Sequence, residues 1–303
     1  MRASRPELDP ECMFQSESPL GDYLRARRAL IQPEDVGLVT LKARRVVGLR
    51  RDEVATRAGI SQEYYLRLEQ GRDRQPSDQV LRALGRALLL DDDALEHMTR
   101  LTRLRGLQTR SSRTVPFSQP IDAGVRALLG AWDHTPGYVM DGNQDVLAAN
   151  DLARAMAPGA LEPGVNLPLL VFSDAARAAD PNWRETAERT VATLRFGADP
   201  DDPRLREIVG QLSIRDADFR RLWARHDARP HYVGPVDHWI PPFGRVTLVC
   251  QTLLIPGQSG ELLVLFHAAA GSVGERALAS LGDGLKQASG GASETQERSA
   301  TVA

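Results

Sequence analysis

The chain of 303 residues has little cysteine, almost no lysine and few aromatics, and each scarcity narrows what it can be. Cys12 and Cys250 are its 2 cysteines, far apart and outside any CxxC pair. That excludes a disulfide framework and a zinc site, and it fits a reducing cytoplasm. Lys42 and Lys286 are the only lysines among 38 basic residues, a bias that points to a GC-rich coding genome rather than to a chemical requirement. No apolar run approaches the roughly 18 residues of a membrane span; the longest, around Val246 to Ile255 and Leu262 to Phe266, have strand length. The opening MRASRPELDPECMFQSESPL lacks the continuous apolar stretch of a secretory signal. GxSxG, HExxH and a phosphate loop of the right length are also missing, so an enzymatic reading has no motif to stand on, and no catalytic residue, metal or cofactor is expected.

What is present suffices for two domains of about 100–200 residues each, since 42% of the chain is hydrophobic. The net charge of -2 hides an asymmetry: Leu20 to Arg113 carries 19 basic and 13 acidic residues, a balance of +6, whereas Thr114 to Ala303 carries 17 and 23, a balance of -6. The first half has the sign for a polyanionic partner, although a solvated helical surface accounts for the same sign. Residues 1–19 and 286–303 are polar and are expected to be disordered. From 20 to 105 apolar residues recur at spacings of three and four, as in Val80, Leu81, Leu84, Ala87 and Leu88, which predicts an all-α domain. Residues 106–120 read as a linker ending in Pro120. The span 121–285 alternates: a helix after Ile121, strands at Gly137 to Met140 and Asp145 to Ala148 around a DGN turn, and a cap at Asn150 or Asp151. Helices from Asp151, Trp183, Pro203 and Ala217 follow, and then strands Arg245 to Ile255 and Leu262 to Ala268. Helices enclosed by antiparallel strands predict an α+β domain.

The strongest local signal runs from Leu41 to Arg72. Arg51 to Ala58 suits a short helix, Gly59 supplies a turn needing positive φ, Ser61 can N-cap a second helix over Gln62 to Gln70, and Gly71 can stop it. Val54, Ile60, Tyr65 and Leu68 form the buried face, with small Ala55 allowing close approach. This is helix-turn-helix spacing, in which the second helix enters the major groove. Gln62, Glu63 and Arg67 then face base edges, while Arg51, Ser61, Arg72 and Arg74 face phosphates. Glu63 has a second reading as an acid that complements the helix dipole. Arg44 and Glu69 suit a structural ion pair, and Tyr65 suits the core.

On the blocks LGDYLRARR, GLRRDEVATRAGIS, YYLRLEQGRD and PSDQVLRALGRAL, the stretch from Leu20 to about Leu104 resembles the Xre-like helix-turn-helix proteins. PGYVMDGNQDVLAANDLARAM opens like a PAS-like sensor domain. Asn182-Trp183, Leu194-Arg195, FRRLWARH and GRVTLVCQTLLIP are similar to the ligand-binding domain of MmyB-like transcriptional regulators. Two places depart from that pattern: Ile240-Pro241 stands where the family has His-Pro, with His238 two residues earlier, and Ala270-Gly271-Ser272 replaces Pro-Gly-Ser.

The resemblance implies a PAS-fold regulator that holds a small, acyl-chain-like molecule. Trp183, Phe219 and Trp223 would supply apolar surface, Arg195 and His226 would meet an acidic head group, and His238 is a weaker third polar candidate. Ordinary core packing is the competing reading for the aromatics, and a local ion pair for Arg195. Cys250 reads as a buried structural thiol. The expected function is therefore a DNA-binding transcriptional regulator with a small hydrophobic, fatty-acid-like effector, acting as a homodimer on duplex DNA without a membrane. The alternative is a helix-turn-helix protein whose second domain recruits another protein.

Overall fold

The computed structural model describes residues 18–38, 48–72, 75–108, 121–256 and 260–300. Helices α1 (Pro19–Leu30), α2 (Arg51–Ala58), α3 (Gln62–Glu69), α4 (Asp78–Ala87) and α5 (Asp92–Gln108) come first, with a 3-10 turn at Pro33–Val36. Next are α6 (Ala123–Gly130), strands β1 (Gly137–Met140) and β2 (Val146–Ala149), and helices α7 (Asp151–Met156), α8 (Leu167–Val171), α9 (Asp174–Ala179), α10 (Trp183–Gly197), α11 (Pro203–Arg215) and α12 (Ala217–Ala224). Strands β3 (Gly234–Ile240), β4 (Gly244–Leu254) and β5 (Leu262–His267) and the long α13 (Val273–Ala300) complete the order. No helix among the described residues is long and apolar enough to cross a membrane.

The chain forms two units that do not follow its linear order. Met1–Thr114 joins Val171–Pro230 in one, and Val115–Leu170 joins His231–Ala303 in the other. Helices α9 to α12 therefore belong with the first five helices and not with the sheet.

In the first unit, caps and glycines set the helix-turn-helix. The Arg50 backbone N–H donates to Glu53 at 2.7 Å to open α2, Gly59 closes it at φ 67°, and Ser61 Oγ accepts from the Tyr64 N–H at 3.1 Å to start α3. Gly21 has a different job: a Cβ there would collide with the Glu69 carbonyl, so its absence lets α1 rest on the end of α3. Leu24, Leu49, Val54, Tyr65, Leu68, Leu84, Leu88 and Met98 form a sealed core, with Ile60 and Val80 partly buried beside it. Burying such side chains contributes about 1.5–3 kcal/mol each before the entropy of ordering is counted.

A carboxylate locks three of these helices together. Glu69 on α3 is 1% exposed and accepts from Arg28 Nε of α1 at 2.7 Å and from Arg51 Nε of α2 at 2.5 Å. Among the described residues the partners of Glu69 are Arg28 and Arg51; Arg44, the partner expected for it, lies outside the described residues.

The second unit is a five-stranded antiparallel sheet in the order β2-β1-β5-β4-β3, the α+β, PAS-like architecture expected of it. One face, with Met140, Val146, Ile240, Leu248, Cys250 and Phe266, packs with Ala153 and Met156 of α7 and Ala277 and Leu278 of α13. Val139, Ala148 and Leu263 on the other face pack with Leu129 of α6. Asn150 holds the first hairpin to its helix: its side-chain carbonyl accepts from Gly137 N–H at 3.1 Å and Ala153 N–H at 2.9 Å, and its amide donates to Thr135 O at 2.8 Å.

Three expectations need correction. β3 has no counterpart in the sequence reading, because Gly234, Pro235 and Asp237 are poor strand formers; as the last strand in the order it is an edge, where a proline breaks no ladder. The segment expected to be a linker begins inside α5, which continues to Gln108, while 109–120 lie outside the described residues. The tail from 286, expected to be disordered, continues α13 to Ala300. Ala277 and Leu278 anchor that helix on the sheet, so Ala, Glu, Gln and Arg beyond them extend an already nucleated helix despite Gly290 and Gly291. Residues 1–17 lie outside the described residues.

Candidate functional site

Two surfaces of the first unit hold the chemistry. On α3, Gln62, Glu63 and Arg67 are exposed and span its first turn and a half, as a groove-reading helix requires. Arg67 lies 3.4 Å from Glu63 and 5.5 Å from the centre of the Tyr64 ring, an arrangement that holds its guanidinium near the helix start. Arg72 is exposed just past α3, and its backbone N–H caps Arg67 O at 2.9 Å. Ser61 Oγ is already engaged as the α3 cap, and Arg51 Nε is engaged by Glu69. Both are therefore structural parts as well as phosphate candidates. Arg74 lies outside the described residues.

The second surface is a row of aromatic and basic side chains on α10 and α12. Phe172 meets Trp183 edge to face at 5.6 Å and Phe219 at 5.2 Å, and Phe219 stacks on Trp223 at 5.7 Å. Phe219 is fully buried, so it serves as core whatever else it does. Trp183 donates from Nε1 to Val171 O at 2.7 Å and lies beneath Arg177 at 3.5 Å; Arg177 in turn bridges Asp216 at 2.6 Å and Asp218 at 2.7 Å.

Arg195 ends the row. Its guanidinium sits 3.7 Å from the centre of the Trp223 ring, donates to Trp223 O at 2.6 Å, and donates to His226 Nδ1 at 3.2 Å. A guanidinium only donates, so His226 Nδ1 accepts and carries no proton. His226 follows α12 with φ 53°, an uncommon conformation for a residue with a Cβ, and one that turns the chain back at this contact. Among the described residues no carboxylate pairs with Arg195. Burial lowers its pKa to about 9 despite the more distant charges of Asp22 and Asp227, and its Nε is enclosed without a hydrogen-bond partner.

Helices of the DNA-binding region close around this point, which no sequence pattern signalled. Tyr23 of α1 meets His97 of α5 edge to face at 5.2 Å, and His97 lies 6.1 Å from Phe196 of α10. Arg100 of α5 donates to Phe196 O at 2.8 Å and Gly197 O at 2.9 Å, so it clamps the C-terminal turn of α10. Arg27 of α1 pairs with Asp227 at 2.9 Å. Burial and the positive charges of Arg195 and Arg100 push the His97 pKa down to about 3, leaving a neutral ring whose Nδ1 is buried and unpartnered. His226 is lowered for the same reasons, burial first and Arg195 second. Tyr23, raised to about 12 by burial, donates its hydroxyl proton to Ala94 O at 3.1 Å.

Trp183, Arg195, Phe219, Trp223 and His226 are thus neighbours in one unit, whereas His238 is on β3 of the other. There its ring meets Phe266 edge to face at 4.9 Å, its Nε2 is buried without a partner, and burial lowers its pKa. Ile240, which stands where the resemblance has a histidine, is core. The chain matches two family models: a helix-turn-helix domain over residues 19–98, and the MmyB-like transcription regulator ligand binding domain over residues 121–281. The second match spans the sheet unit and also α9 to α12. No curated relative matches the chain.

Proposed function

The chain belongs to the MmyB-like transcription regulators, a DNA-binding domain joined to a ligand-binding one, and from that membership we propose that it reads a specific operator under the control of a small hydrophobic effector of the fatty-acid type. The observation that carries the reading is the exposure of Gln62, Glu63 and Arg67 along a capped helix-turn-helix whose body includes the ligand-domain helices α10 and α12. Glutamine suits adenine, arginine suits guanine and glutamate suits cytosine, with Arg51, Ser61 and Arg72 towards phosphates. One short helix reads few base pairs, so the protein acts as a homodimer on a pseudopalindromic site with half-sites about 34 Å apart.

For the effector, Trp183, Phe219 and Trp223 supply apolar surface, and Arg195 and His226 the polar contact, with His238 a weaker third candidate. An acyl tail gains roughly 25 cal/mol per Å² of buried apolar area, so a long chain needs one good contact at its head. The protein is read as a regulator and not an enzyme. A recruitment role for the sheet unit is the second reading, favoured by Trp239 at 74% exposure and Leu254 at 68%.

Selection of bound sequences from a random duplex pool, with the full chain, tests the first half of the proposal. Two related half-sites one helical turn apart are expected, and a single half-site bound by one protomer would refute the dimer. Calorimetry with saturated fatty acids of graded length tests the second half: affinity must rise with chain length, and a flat series would remove the acyl reading.

A further inference from the structure

We propose that the effector's carboxylate is held where α1, α5, α10 and α12 meet, by Arg195 and His226 of the ligand-domain segment together with His97 of the DNA-binding core. This rests on the hydrophobic-effector reading above, and adds where the head group binds and which part of the molecule feels it.

Three independent observations converge. First, Arg195 Nε and His97 Nδ1 are both enclosed without a hydrogen-bond partner, and unsatisfied buried polar atoms are rare in folded proteins unless a ligand or ordered water completes them. His97 lies 6.1 Å from the ring of Phe196, the residue that follows Arg195 on α10.

Second, Arg195 is a cation with no carboxylate partner among the described residues. Arg27 and Arg225 both pair with Asp227, Arg25 pairs with Asp22, and Arg100 is taken up by the Phe196 and Gly197 carbonyls. Arg195 has only the Trp223 carbonyl and a neutral His226. A water molecule would satisfy the two bare nitrogens but not that charge. A carboxylate satisfies both.

Third, the apolar side is continuous with the polar one. The Trp223 ring beneath the Arg195 guanidinium stacks on Phe219, which leads to Phe172 and then Trp183, so a molecule with its acid at Arg195 has an aromatic row beside its tail.

The assignment explains how an effector reaches the DNA. His97 and Tyr23 belong to helices whose core side chains pack with Val54, Tyr65 and Leu68 of the helix-turn-helix. A head group shared between α5 and α10 has different affinities for states in which those helices are joined or apart, and that difference is what regulation requires.

The test is calorimetry on the full chain with decanoate and 1-decanol, which share a tail and differ in the charge of the head. His97→Phe keeps a ring against Tyr23 and removes the nitrogen; Arg195→Met removes the cation; His238→Phe probes the rival location on β3. Wild type is expected to bind decanoate at least about tenfold more tightly than decanol, the gain of one charge-assisted hydrogen bond. That preference should disappear in His97→Phe and Arg195→Met while decanol affinity holds, and survive in His238→Phe. A preference intact in His97→Phe, or lost only in His238→Phe, overturns the assignment. If Arg195→Met does not fold, the two histidine variants decide alone. Wild type that binds neither compound overturns the effector reading itself, and this inference with it.

Discussion

Two charges in the same unit are treated in opposite ways. Glu69 is sealed between α1, α2 and α3 with an arginine at each carboxylate oxygen, so its charge is fully compensated. Arg195, at the meeting of α10 and α12 with α1 and α5, has no carboxylate partner among the described residues and an enclosed nitrogen with nothing to donate to there. The first arrangement is what holding helices together demands, since removing one member of a buried ion pair leaves the rest exposed to the full cost of desolvation. The second leaves that cost standing, which a protein tolerates where a ligand later offsets it. Glu69 is thus a compensated charge that joins helices, and Arg195 is the charge to which the proposal above assigns a ligand.

The contrast makes its largest claim at Glu69. Glu69→Ala should destabilise the protein by about 3–5 kcal/mol, because Arg28 and Arg51 lose their common partner. Urea unfolding of the full chain measures this, and a cost below about 1 kcal/mol would show that the carboxylate does not lock the helices.

Arg67→Ala separates reading charges from holding charges. Its exposed pairing with Glu63 at 3.4 Å contributes little to the fold, so stability should stay within about 0.5 kcal/mol. Affinity for the selected operator should fall by ~1–3 kcal/mol at one base pair, with other duplexes bound as before. Uniform loss across sequences would make Arg67 a phosphate contact.

His97, buried between Tyr23 and Phe196, predicts a pH dependence with a definite sign. His97 titrates at about 3 in the fold against 6.5 when unperturbed, so between those values the unfolded chain binds the extra proton. Stability is therefore lost as pH falls from 6.5 towards 3, by up to roughly 1.4 kcal/mol per pH unit for that one group. His226 adds in the same direction. Denaturant midpoints measured from pH 7 to pH 4 should fall less steeply in His97→Phe than in wild type; equal slopes would place the acid sensitivity elsewhere.

Arg195→Met is the change most opposed to Glu69→Ala. An apolar side chain of similar length relieves an uncompensated cation, and its gain should nearly cancel the lost bonds to Trp223 O and His226, leaving ligand-free stability within about 1 kcal/mol of wild type. A loss as large as that of Glu69→Ala would make Arg195 a structural clamp on α12 and erase the contrast.

The parts of this protein legible without coordinates were those written within one or two helical turns. Gly59 at φ 67°, Ser61 capping α3, Asn150 capping α7 and the apolar spacing of α4 each act on neighbours a few residues away, so residue type and position suffice to reveal them. The helix-turn-helix, the hairpin before α7 and the strands β4 and β5 followed from such signals. Arg195 and His226, expected together as contacts for an acidic head group, hydrogen-bond to each other across 31 residues, which the sequence did not signal.

Beyond that reach the linear order says nothing of packing. The two family models follow one another along the chain, at residues 19–98 and 121–281, and only the contacts place Val171–Pro230 with the first unit and the sheet in the second. Arg27 meets Asp227 and Arg100 meets Phe196 across 200 and 96 residues, and no periodicity encodes such a distance. Whether a buried charge is compensated depends on which helices share a core. That is settled by the shapes of apolar faces after they collapse, and so the difference between Glu69 and Arg195 exists only in the folded chain.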